Sequence, residues 1–155
     1  LGVVVISGFH SPVVKECLPI LLRSPHPVIY CPARGIDSYR LLPELRKPLA
    51  AGRLLLLSPF TKDVTRITSE TAQQRNRFVA AVATRIFVYH AAPGSNTEQF
   101  CRELVALGKH VLTFDSEANR NIIESGVTPV DLADIKAHID DLTLPSDAGL
   151  GTALL

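Results

Sequence analysis

Four segments of this sequence gather the residue types that hold phosphate: a glycine for close backbone approach, a hydroxyl or amide to cap a following helix, or a cation within reach. In Ser7-Gly8-Phe9-His10-Ser11-Pro12 a glycine turn leads straight into a helix start. Free backbone N–H groups and the positive dipole end would accept an anion there, with Ser7 and Gly8 in contact. Any strand-to-helix turn needs similar residues, and His10 could be a ligand or an acid but is read first as a solvated loop histidine. In Cys31-Pro32-Ala33-Arg34-Gly35-Ile36-Asp37, Arg34 could clamp a phosphate and Asp37 a sugar hydroxyl; a surface arginine and a capping aspartate are the alternative. Ser58-Pro59-Phe60 offers a ring that stacks on a base or closes the core. His90-Ala91-Ala92-Pro93-Gly94-Ser95-Asn96-Thr97-Glu98 is the fullest cradle, with Gly94 for close approach and Ser95, Asn96 and Thr97 as caps and donors. It is neither a Walker A loop nor a G-x-G-x-x-G turn. Glu98 could serve as a general base, or could simply satisfy a helix dipole.

The cation expected to face these loops lies on a helix. Within Gln73-Gln74-Arg75-Asn76-Arg77-Phe78-Val79-Ala80-Ala81 a polar Arg-Asn-Arg set interrupts an apolar face made by Ala72, Val79, Val82 and Ala83. Packing explains it poorly, because burying arginine without a partner is costly. Successive helical residues point in different directions, so Arg75 and Asn76 are assigned to the ligand and Arg77 to solvent or an acidic partner. Charge distribution agrees: residues 62–85 carry five cations against two carboxylates, whereas residues 131–147 carry five aspartates against one lysine.

The elements that must position these residues follow from periodicity. Unalternating apolar runs at Val3–Ile6, Val28–Cys31, Leu54–Leu57, Ile86–Tyr89 and Val111–Phe114 predict strands buried on both faces. Helices are predicted from Ser11-Pro12, over Tyr39–Ala50 with interruptions at Pro43 and Pro48, over Ser69–Ala83 and over Thr97–Leu107. Shorter helices are expected over Asn119–Ser125 and Leu132–Leu142. Strict alternation of strand and helix implies a Rossmann-like, doubly wound, mostly parallel sheet in a three-layer αβα sandwich. Ligands of such sheets bind beyond the carboxyl ends of the strands.

At 155 residues the chain suits one domain, expected over residues 1–145, with residues 146–155 as a flexible tail in which Gly149-Leu150-Gly151 is no nucleotide fingerprint. Without Met and opening on a strand, it reads as lacking its natural N-terminus; no signal peptide precedes that strand. Cys17, Cys31 and Cys101 are widely spaced within apolar segments, the pattern of reduced thiols in cytoplasm. No cofactor and no metal is expected, and binding is favoured over catalysis.

The Ser7-Gly8 turn, the Gln74-to-Ala81 helix and the Ser95-to-Thr97 cradle together resemble the DprA/Smf family of DNA-processing proteins. Leu54-to-Phe60, Gly108-Lys109-His110-Val111 and Asn121-to-Gly126 extend the similarity, which covers roughly Val3 to Val130. It implies a Rossmann-like domain that binds single-stranded DNA and acts in DNA recombination beside a RecA-type recombinase; a homodimer is a further expectation. Where the family carries Ala-Arg-Gly-Ile-Asp after Ser-Gly, this chain has Phe9-His10-Ser11-Pro12-Val13. Pro93-Gly94 and Thr97-Glu98 also look similar to the Pro-Gly-Gly-x-Gly-Thr loop of the related lysine-decarboxylase-like, LOG-type enzymes that hydrolyse nucleoside monophosphates. There Ser95 replaces the second glycine and the Gly-to-Thr spacing is one residue shorter. A non-catalytic nucleotide-sensing module would use the same loops without chemistry.

Overall fold

The computed structural model describes residues 3–37, 39–131 and 151–155. Seven short strands form one sheet: β1 (Val5–Ser7), β2 (Val28–Tyr30), β3 (Leu54–Leu56), β4 (Arg85–Phe87), β5 (His110–Phe114), β6 (Thr128–Val130) and β7 (Thr152–Leu154). Their order is β3-β2-β1-β7-β4-β5-β6 and every pairing is parallel. Connecting them are α1 (Pro12–Arg23), α2 (Pro43–Ala50), α3 (Ser69–Val82), α4 (Asn96–Ala106) and, after a 3-10 turn, α5 (Arg120–Ile123). The architecture is the expected Rossmann-like α/β sandwich. Alternate strand residues feed opposite faces: Ile6, Ile29 and Ile86 pack with α3 and α4 residues Val79, Cys101 and Leu104. Val28 and Leu54 instead meet Val14, Leu18 and Leu45 from α1 and α2. Among the described residues no helix is long and apolar enough to cross a membrane.

Local chemistry explains where the elements begin. Pro12 and Pro43 each stand in the first turn of their helix, where a missing N–H removes no bond. Pro43 therefore opens α2 instead of interrupting a longer helix from Tyr39. Thr68 caps α3 reciprocally: its hydroxyl accepts from Thr71 N at 3.1 Å, and Thr71 Oγ1 accepts from Thr68 N at 2.9 Å. Ser7 and Ser58 use one device after β1 and β3. Each hydroxyl accepts the N–H of the phenylalanine two residues on, Phe9 or Phe60, and donates to a distant carbonyl, Leu154 O or Arg34 O.

Three expectations change. Residues 152–154 are not a frayed tail but the central strand, hydrogen-bonded to β1 on one side and β4 on the other. Gly151 makes that insertion possible, since a Cβ there would collide with Val4 O, while Thr84 N and Oγ1 both donate to Gly151 O at 2.8 Å. The strand buried on both faces at Leu54–Leu57 is an edge strand, and Leu55 is 51% exposed. Thr128–Val130 adds a strand that the apolar periodicity did not announce, because its short run contains Pro129; at the sheet edge proline is tolerated. The helix expected over Leu132–Leu142 lies outside the described residues, as do residues 146–150.

Candidate functional site

At the carboxyl ends of β1, β7 and β4 the sheet changes winding direction, and a cleft of about 280 Å³ opens between the N-termini of α1 and α4 and the flank of α3. This is the crevice at which parallel sheets bind ligands. Ser7, Gly8, Arg75, Asn76, Asn96 and Thr97 of the expected site line it; Gly94, Ser95 and Arg34 do not.

Arg75 organises the cleft. It lies on the inward face of α3 one turn before Val79, and only 2% of it is exposed. Its guanidinium donates from Nε to Asn76 Oδ1 at 2.8 Å, from Nη1 to Cys31 O at 3.1 Å and from Nη2 to His10 Nδ1 at 3.0 Å. All three acceptors are neutral. A guanidinium has no acceptor, so His10 Nδ1 must hold a lone pair, leaving the ring neutral with its proton on Nε2. Burial, and next the adjacent Arg75 charge, lower the His10 pKa in keeping with that tautomer. The neighbouring acids do not balance Arg75. Burial pushes the Cys31 thiol up to about 11 and raises the Tyr30 phenol further, so both are uncharged at neutral pH. Desolvation correspondingly lowers the Arg75 pKa. A cation is thus buried against a ligand-sized cleft among neutral partners, a costly arrangement without an anion.

Gly8 is explained by this contact. A Cβ at that position would land on Arg75 Nη1, although Gly8 lies outside the left-handed backbone region. The next residue bears the unusual backbone: Phe9 has φ of 46° and is held by stacking on Tyr30 at 5.8 Å. Asn76, with Oδ1 engaged, has its amide NH₂ to offer. Arg77 turns outward to Glu103, 3.0 Å away, with 55% of its side chain exposed, and both line the rim.

The Gly94 loop is different. Gly94 adopts φ of +75°, a Cβ there would meet no neighbour, and its N–H donates to Glu98 Oε2 at 2.7 Å. Ser95 Oγ accepts from Glu98 N at 3.2 Å, and Glu98 Oε1 also accepts from Asn121 and Arg102. Of the expected cradle, the Gly94 N–H is taken by the protein's own carboxylate and Ser95 Oγ by the start of α4, while Asn96 and Thr97 face the cleft. The Gly94 N–H above all, then Asn121 and Arg102, lower the Glu98 pKa, making it a weaker base; it is absent from the cleft lining.

The chain matches no protein-family model, no curated protein and no solved structure.

Arg34 stands on the far side of the Gly8 turn, its guanidinium carbon 4.9 Å from the Tyr39 ring centroid. Asp37 is exposed and outside both cavities that flank the turn. Sequence reasoning did not anticipate His10 as a partner of Arg75, nor Leu154 and Leu155 as cleft residues. The first had a signal in its position three residues after β1; the second had none, since pairing across the whole chain leaves no local pattern.

Proposed function

We propose that the cleft binds the phosphate of a nucleotide, presented in the natural ligand by single-stranded DNA as the DprA/Smf resemblance implies. The observation that carries this reading is Arg75, a buried guanidinium facing the cleft with only neutral partners. Two helix N-termini, of α1 and α4, converge on the same space and add partial positive charge. The volume, near the lower end of the roughly 300–1,000 Å³ usual for ligand pockets, suits one nucleotide unit of a strand. Asn76 and Thr97 supply neutral donors. A hydrolase of the LOG type is disfavoured because Glu98 is committed to capping α4.

The test is titration of labelled single-stranded oligonucleotide, and separately of a nucleoside monophosphate, against wild type, Arg75→Ala and Arg75→Lys at two salt concentrations. Binding should weaken with salt in wild type, since neutralised phosphates release counterions. Arg75→Ala should lose at least about tenfold in affinity, the equivalent of ~1.4 kcal/mol, with Arg75→Lys intermediate. Identical curves for all three folded proteins would sink the proposal. The monophosphate arm addresses nucleotide sensing, and co-elution with a RecA-type recombinase addresses the remaining implication of the resemblance.

A further inference from the structure

Across the turn formed by Gly8 and His10 lies a second cavity, of about 100 Å³, bounded also by Tyr30, Arg34, Tyr39 and Arg75. Among the described residues no aspartate or glutamate lines it. Two guanidiniums do, and one is incompletely bonded: Arg34 Nε is buried and has no hydrogen-bond partner. Its guanidinium is held over the Tyr39 ring, and the Arg34 carbonyl is fixed by the Ser58 hydroxyl at 2.7 Å, so side chain and backbone are both anchored. A buried N–H left without an acceptor is costly, and more so when the group is charged. His10, which accepts from Arg75 through Nδ1, has Nε2–H as its donor and borders both cavities.

We propose that this second cavity is an oxyanion site of phosphate size, distinct from the cleft over β1, β7 and β4. An acceptor oxygen placed there satisfies Arg34 Nε and sets negative charge beside two cations that have no carboxylate in the cavity wall. The size selects the ligand. About 100 Å³ suits a tetrahedral oxyanion better than a base with its sugar. Tyr30 and Tyr39 add aromatic walls without adding a negative group, since burial and the hydrogen bond with Tyr39 keep the Tyr30 phenol protonated. The inference does not rest on the reading of the first cleft, because none of Arg34, Tyr39 and Ile67 lines that cleft.

The experiment is a titration with inorganic phosphate at constant ionic strength, followed by amide resonances on the two sides of the turn. Tyr39 and Ile67 report the second cavity; Asn96 and Thr97 report the first. Wild type should show saturable shifts at Tyr39 and Ile67, weakened at least tenfold in Arg34→Gln while any response at Asn96 and Thr97 is retained. Should Arg34→Gln not fold, Arg34→Lys serves, since it keeps the charge without the Nε donor and must still bind phosphate more weakly. Absence of saturable shifts at Tyr39 and Ile67, or equal affinity in the variants, overturns the proposal, whatever happens at Asn96 and Thr97.

Discussion

The two glycine turns that follow β1 and β4 look alike in sequence and do opposite things. After β4, Gly94 adopts φ of +75° with open space around it, and Glu98 reaches back to close the loop on itself. After β1, Gly8 has no such backbone requirement, yet its missing Cβ is what admits the Arg75 guanidinium. One glycine serves the backbone and the other serves a side chain from a different helix. A phosphate cradle read from a glycine and its following hydroxyls cannot separate these cases, because the deciding partner lies 67 positions away in one and four in the other.

Gly8→Ala should break the contrast most severely. The added methyl displaces Arg75, whose hydrogen bonds as a charged donor are worth roughly 1.5–3 kcal/mol each. A loss of at least about 3 kcal/mol in denaturant unfolding, together with loss of phosphate binding, is the expected result; an unchanged midpoint would place the guanidinium elsewhere. Gly94→Ala should be milder, about 1 kcal/mol from forcing alanine into the left-handed region, with ligand affinity unaltered. Ser95→Ala should cost a similar ~1 kcal/mol through the lost N-cap of α4, again leaving affinity alone. Reduced affinity in either Gly94→Ala or Ser95→Ala would return the Gly94 loop to the binding site.

The smallest expected effect concerns pH. The folded-state pKa of His10 is depressed, so unfolded chain binds the proton more readily. The resulting stabilisation is present above the ordinary histidine value of 6.5 and is lost as pH falls through the lower folded pKa. Melting temperatures measured from pH 7.5 to 5 should decline less in His10→Asn, whose amide oxygen can still accept from Arg75, than in wild type. Parallel declines would show that His10 does not contribute.

Much of the sheet was legible because buried parallel strands advertise themselves as unbroken apolar runs, and proline and glycine mark the ends of helices. Arg75 was legible too: it sits at helical spacing between Ala72 and Val79, where an aliphatic residue belongs. What local pattern could not reveal was partnership. Neither the commitment of Ser7 to Leu154, nor that of Glu98 to Gly94, follows from residue type. Each is a choice among equivalent partners, an acceptor for Ser7 and a donor for Glu98, that only the folded chain makes. The Arg-Asn-Arg helix singled out in the sequence does line the cleft, but which side of each loop it would meet was not legible.

The central position of β7 has a kinetic consequence. Strands β3, β2 and β1 form one half-sheet from local crossovers and β4, β5 and β6 another, and among the described residues the strand pairing between the halves runs through Thr152–Leu154. The bond from Ser7 Oγ to Leu154 O spans 147 positions, so this junction has a far higher sequence separation than any crossover within a half. The cleft lies at the seam. We therefore expect phosphate-binding competence to appear in the last phase of refolding, after most strand amides are protected from hydrogen exchange. A ligand that bridges α1 and α4 would then act as a clasp, slowing the separation of the two halves.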